Sequence, residues 1–191
     1  DRYAGFDAAH SAGAVPHEFG AAGVDFAVWC TYKYLNAGPG SIGALYVAER
    51  HHGLTPAESA GVYSMFISNC VAFSWPHHPA SAGAWQIGTP PLLSAAPLEG
   101  SVELLREAGI ERLREKSLAL TDFLIALVDD RLPEVSVGTP RDHDARGGHV
   151  AVEHPDAERL SAALKDRGVV VDFRPPNVVR VCPAAPYTSF A

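Results

Sequence analysis

An acid, an imidazole and an amine stand in this sequence where a small ligand would need them. Lys33 lies within Cys30-Thr31-Tyr32-Lys33-Tyr34-Leu35-Asn36, and Ala37-Gly38-Pro39-Gly40-Ser41 follows at once. A lysine among aromatic residues beside a Gly/Pro-rich bend is poorly placed for simple solvation, and desolvation makes an amine a usable nucleophile. A surface lysine snorkelling past aromatic rings is the competing reading. Upstream, Phe6-Asp7-Ala8-Ala9-His10 runs into the small-residue turn Ser11-Ala12-Gly13-Ala14. A carboxylate and an imidazole at one bend, with a lysine at the next, suit a cofactor with several polar handles. Pyridoxal phosphate is such a cofactor. Its aldehyde takes a lysine amine, and its pyridine nitrogen takes a carboxylate that keeps it protonated. On spacing alone, Asp7 as a turn cap and His10 as a packing residue stay open as alternatives.

The elements that would position these residues can be read from periodicity. Tyr3–Asp7, Phe26–Cys30 and Gly43–Val47 look like three short buried strands, so Asp7 ends one strand and Lys33 follows the carboxyl end of the next. Strand carboxyl ends are where open α/β sheets hold ligands. Between Glu49 and Ala84 the pattern is irregular. Thr89 is an N-cap candidate for a helix whose first turn takes Pro90 and Pro91, and Pro97 is expected to interrupt or kink it. Leu113, Leu120, Leu124, Leu127 and Val128 form the apolar stripe of a long helix from Ile110 to about Asp130. A smaller α/β unit follows Pro133: strands at Val135–Val137 and His149–Val152, a helix from Asp156 to Arg167 stopped by Gly168, and a hairpin of Val169–Phe173 with Val178–Cys182. The expected division is 1–109 as part of a large cofactor-binding domain, 110–132 as a linking helix and 133–191 as a small C-terminal α/β domain.

Within that hairpin, alternation puts Arg180 and Val178 on one face. A guanidinium among apolar neighbours invites a two-pronged carboxylate partner, which an amino-acid substrate carries. An internal ion pair with Asp172 or Asp166 is the alternative, and Arg174 is read as structural. Cys182 reads as a packed thiol.

Composition bounds the class. The 191 residues suffice for one substantial core, or one with a small satellite. A net charge of −7 without a run of basic residues disfavours nucleic acid and anionic membranes as partners. No apolar stretch approaches a membrane span. Cys30, Cys70 and Cys182 have no metal-like spacing, and their odd number points to reduced thiols and a cytoplasmic setting.

Three segments carry a family resemblance. They are FDAAHSAGAVP with VDFAVWCTYKYLNAGPGSIGALYV (within Phe6 to Val47), IGTPPLLSAAPLEG (Ile87 to Gly100) and RGGHVAVEHPDAERLSAALKDRGVVVDFRPPNVVRVCPAAPYTSF (Arg146 to Phe190). Together they resemble kynureninase, a fold-type-I pyridoxal-phosphate enzyme family. The resemblance implies an aspartate-aminotransferase-like large-domain portion plus a small α/β domain. It implies a hydrolase of tryptophan degradation that cleaves the Cβ–Cγ bond of L-kynurenine, or its 3-hydroxy form, to anthranilate, or 3-hydroxyanthranilate, and L-alanine. Lys33 would hold the cofactor and move the α-proton. Asp7 would pair with the pyridine nitrogen, and His10 would sit near the ring hydroxyl. Tyr32 would contact the phosphate and serve in proton transfer, with core packing as its alternative. Thr89 would reach the phosphate of a neighbouring subunit, and Arg180 would bind the substrate α-carboxylate.

The resemblance also implies a preceding half with a phosphate cradle and a ring-stacking aromatic residue, and a last helix, all outside this sequence. A homodimer or a composite assembly is therefore expected. The stretch SNCVAFSWPHHPASAGAW aligns poorly, so Trp75 and His77 receive no role. Competing readings are another fold-type-I enzyme, cysteine desulfurase-like or aminotransferase-like, and a non-catalytic assembly subunit.

Overall fold

The structure is a computed structural model that describes residues 2–52, 81–85 and 90–190. The chain forms two compact units, Asp1–Ala12 with His17–Leu104 and Gly13–Pro16 with Leu105–Ala191.

In the first unit, β1 (Gly5–Asp7), β2 (Phe26–Cys30) and β3 (Gly43–Val47) form a sheet in that order. β1 runs parallel to β2 with Asp7 opposite Val28, and β2 runs antiparallel to β3 with Val28 opposite Leu45. Gly5 leaves room where β1 meets β2, because a Cβ there would run into the Phe26 ring and the ring would have to shift. The expectation of buried strands holds for part of the sheet only. Ala27 and Val47 are buried, and Phe19 packs on Trp29 and Tyr46. β1 is exposed throughout, and Phe26, Val28 and Leu45, which share a face with Val47, are each more than 40% exposed. The period-2 pattern named the residues of each face, but an apolar run does not say which faces are covered.

A buried acid locks the amino end of the parallel pair. The Asp25 carboxylate accepts from the Ala4 amide at 2.6 Å and from Arg50 Nε at 3.1 Å, and it lies 2.6 Å from His51 Nε2. Its backbone carbonyl accepts from Ala48 N, which follows β3. One residue thus ties the starts of β1 and β2 to the end of β3. The His51 bond, then the Ala4 and Arg50 bonds, hold its pKa far below the usual carboxylate range.

Helix α1 spans Leu92–Ala108, and the boundary between units falls within it. Pro97 lies inside this helix without interrupting it. The bond lost at Pro97 would have gone to the Leu93 carbonyl, one turn back. Leu92 and Leu93 are both largely exposed, so water is at hand for the freed acceptor.

In the second unit, β4 (Ser136–Val137), β5 (Val150–Glu153), β6 (Asp172–Arg174) and β7 (Val178–Val181) form an antiparallel sheet in the order β4-β5-β7-β6. Helix α2, Ile110–Arg131, lays Ile125 and Val128 on Val150 and Val152, with Leu124, Val135, Val137 and Val181 around them. Its buried stripe is Leu113, Ser117, Leu120, Thr121, Ile125 and Val128, whereas Leu127 is exposed. Thr121 tolerates burial because its hydroxyl donates to the Ser117 carbonyl one turn back, at 2.9 Å. Helix α3, Ala157–Asp166, packs on β6 and β7. It ends in a Schellman motif: Gly168, at φ 79°, donates to Lys165 O, and Val169 donates to Leu164 O. The hairpin's first strand is shorter than expected, beginning at Asp172, and Val170 is exposed.

Candidate functional site

The parallel pairing of β1 and β2 brings the acid and the lysine segments to one sheet edge. Asp7 is the last residue of β1 and faces Val28; Cys30 ends β2, and Lys33 stands three residues beyond. Ala8 N donates to Val28 O at 2.8 Å, which binds the turn after Asp7 to the β2 terminus. One Asp7 oxygen, Oδ1, accepts from the Ala9 amide at 2.9 Å. Capping the turn, the alternative weighed for Asp7, therefore does occur. It occupies one oxygen of two.

His10 sits in the next turn, where Ser11 and Ala12 amides both donate to the Ala8 carbonyl. That turn is braced from outside, since His17 Nε2 lies 2.8 Å from Ser11 Oγ and its ring stacks on Phe19. Burial lowers the His17 pKa, which favours the neutral ring. His10 itself is exposed rather than packed.

The lysine loop is pinned at both ends. Thr31, fully buried, lies with its hydroxyl 2.8 Å from Ser41 Oγ and within hydrogen-bond reach of the Ile42 carbonyl; Ser41 Oγ in turn donates to Ser94 O at 3.1 Å. Thr31 O accepts from Ala37 N, and Lys33 O accepts from Asn36 N, so Lys33 occupies the crest of a closed turn. Asn36, at φ 54°, is the sole non-glycine residue with positive φ among those described, and Gly38 and Gly40 also have positive φ. These residue types suit a chain that must reverse direction within a few bonds. Lys33 is half-buried, with Nζ 5.8 Å from the centre of the Tyr32 ring. Tyr32 is half-exposed, and the neighbouring Cys30 side chain raises its phenol pKa. Sequence reasoning passed over both Thr31 and Cys30. Their signal was the polar pair ending an otherwise apolar strand.

Arg180 stands on β7 in the second unit, directly opposite Asp172 on β6. Its Nη2 lies 2.5 Å from Asp172 Oδ2, and Arg174 Nε donates to the same oxygen at 2.7 Å. The ion pair weighed as the alternative for Arg180 is therefore formed, and Arg174 shares it. Cys182, expected to be packed, is exposed; its thiol donates to Gly148 O at 3.5 Å. Strand alternation sets Cys182 on the face of Val178 and Arg180, opposite buried Val179 and core-packed Val181. Thr89, Trp75, His77 and Cys70 lie outside the described residues. The amine, carboxylate and imidazole at one sheet edge match the aldehyde, pyridine nitrogen and ring hydroxyl of pyridoxal phosphate, so the residues present fit that part of the cofactor.

Residues 113–191 match the kynureninase C-terminal domain. The kynureninase of Geobacillus thermodenitrificans is 48% identical over 189 residues, which is 97% of this chain and 44% of that protein. The sequence is kynureninase-like along almost its whole length. It spans less than half the length of the kynureninases it matches.

Among solved structures, a cysteine desulfurase from Thermococcus onnurineus superposes with a TM-score of 0.74 at 20% identity, over 97% of this chain and 48% of that one. A cystine C–S lyase mutant with glycine covalently linked to its PLP cofactor gives 0.67 at 19% identity, over 92% and 45%. At such identity the likeness is one of fold, and the fold is that of the fold-type-I pyridoxal-phosphate enzymes. One architecture serves many reactions, so the fold by itself assigns none of them.

Proposed function

We propose that this chain carries the lysine-bearing part of a kynureninase-like hydrolase that uses pyridoxal phosphate. The observation that supports it most is the placement of Asp7 and the Lys33 loop at one edge of a parallel strand pair, within a kynureninase-like sequence. When bound, pyridoxal phosphate supplies the electron sink that lets bonds to the substrate α- and β-carbons break.

The chain's own residues do the rest. Lys33 binds the cofactor and, once displaced by substrate, moves the α-proton. Asp7 keeps one oxygen for the pyridine nitrogen while Ala9 N holds the other. His10 lies near the ring hydroxyl. Tyr32, whose phenol pKa Cys30 raises, contacts the phosphate and relays a proton. Arg180 binds the substrate α-carboxylate, and Thr89 reaches the phosphate of a neighbouring subunit. One water is consumed as L-kynurenine or its 3-hydroxy form gives the aromatic amino acid and L-alanine.

In this reading 1–109 belongs to the cofactor-binding domain, 110–132 is a linking helix and 133–191 is the small domain. The working form is a homodimer or a composite assembly in the cytoplasm. Among the described residues no helix is long and apolar enough to cross a membrane.

The test supplies the purified protein with pyridoxal phosphate and L-kynurenine. Anthranilate and L-alanine should appear in equal amounts, and Lys33→Ala should abolish both. Protein that takes the cofactor on Lys33 yet yields neither product would overturn the reading. Formation of a persulfide from cysteine, or of a keto acid by amino transfer, would redirect it to another fold-type-I reaction.

A further inference from the structure

We propose that Asp172 is a positioning residue for Arg180, holding one side of its guanidinium so that the remaining N–H groups face a substrate carboxylate. This rests on the reading of Arg180 as the carboxylate-binding residue. Asp172 and Arg180 are register partners across the antiparallel β6–β7 pair, so their side chains leave the same face side by side. Asp172 Oδ2 lies against Nη2 of Arg180, and the same oxygen accepts from Arg174 Nε. A guanidinium carries five N–H donors, so this contact leaves donors free for a second carboxylate. One acid also faces two arginines here, which leaves the trio with an excess positive charge.

The two arginines are not equivalent. The Arg180 side chain is 24% exposed and that of Arg174 is 57% exposed. A desolvated guanidinium gains more from a carboxylate ligand than a solvated one does. On the other flank, β5 sets Ala151 opposite Arg180, a methyl group that neither fills nor neutralises the space beside the guanidinium. Glu153 shares that face of β5, but its carboxylate accepts from the Ser136 hydroxyl at 3.1 Å. Asp172 therefore fixes a long, flexible side chain before substrate arrives, and the substrate need not order it.

The pyridoxal-phosphate-loaded protein tests this with two probes: L-kynurenine as substrate, and its amine analogue lacking the α-carboxylate as a competing inhibitor. Asp172→Ala should raise KM for L-kynurenine about tenfold with kcat little changed, and leave inhibition by the analogue as it was. Asp172→Asn, which keeps the shape and an acceptor oxygen, should show a smaller rise, and its melting curve checks that the fold is intact. A merely structural role would weaken both probes together. If Asp172 instead masks Arg180, KM would fall on its removal. Either result overturns the proposal. Arg180→Ala separates the two layers: if it raises KM and Asp172→Ala does not, the positioning role fails while the reading of Arg180 stands. If neither raises KM, both fail.

Discussion

The lysine turn shows how one buried hydroxyl can decide where an amine stands. Thr31 ends the apolar run of β2 and ties the turn to Ser41 and Ile42. Thr31→Val keeps the shape and leaves those partners without their bond, so it should cost about 1–3 kcal/mol of stability by denaturant unfolding and weaken pyridoxal phosphate binding as well. A control at an exposed serine, Ser136→Ala, should leave cofactor binding unchanged. Beside it, Cys30 raises the pKa of Tyr32. Cys30→Ala should bring one tyrosine back down toward its ordinary value of about 10, seen as a difference in ultraviolet titration between variant and parent. On the proposed reaction, Arg180→Lys should lower kcat/KM by roughly 10- to 1,000-fold, because a point charge replaces a two-pronged donor. Asp7, His10, Lys33 and Arg180 stand out as candidates by residue type and spacing, and Tyr32 only through the kynureninase resemblance. What spacing did not fix was how far each was already engaged. Asp7 both caps its turn and ends a strand, and Arg180 already has a carboxylate beside it.

Elements with sharp chemical punctuation were read well, and those defined by burial were read less well. β2 and β3 have the bounds that their apolar runs suggested, and α3 stops where Gly168 supplies the left-handed residue its end requires. The errors share a cause. Leu127 lies off the buried stripe of α2, Val170 precedes rather than joins β6, and Phe26 and Val28 are part-exposed. Apolar character alone does not say which surface a neighbour covers. Ile125 instead carries the contact between α2 and the second sheet. Ile125→Ala should therefore destabilise the protein by about 2–5 kcal/mol in denaturant unfolding, more than Leu127→Ala at its exposed position.

Across the described residues, charge links folding to pH through a few paired acids rather than through the net charge of −7. Asp25 ionises in the fold far below its value in the unfolded chain, about 4. Its contribution to stability is therefore present above that pH and is lost as pH falls below it. Asp25→Asn should flatten the acid side of the stability curve, as measured by chemical denaturation across pH, while lowering stability near neutrality. Asp122 behaves in the same direction: burial pushes its pKa up, but hydrogen bonds from Arg146 and His143 outweigh that and hold it low.

The proposed role of Lys33 admits a direct chemical test, because the chain has three lysines, Lys33, Lys116 and Lys165. The protein is incubated with pyridoxal phosphate, reduced with borohydride, digested and mapped by mass. Lys33 should carry the cofactor in about one-to-one amount, and Lys33→Ala should remove the label without transferring it to another site. Label spread evenly over Lys116 and Lys165, or none on Lys33 in a folded protein, would contradict the proposal that this turn holds the cofactor.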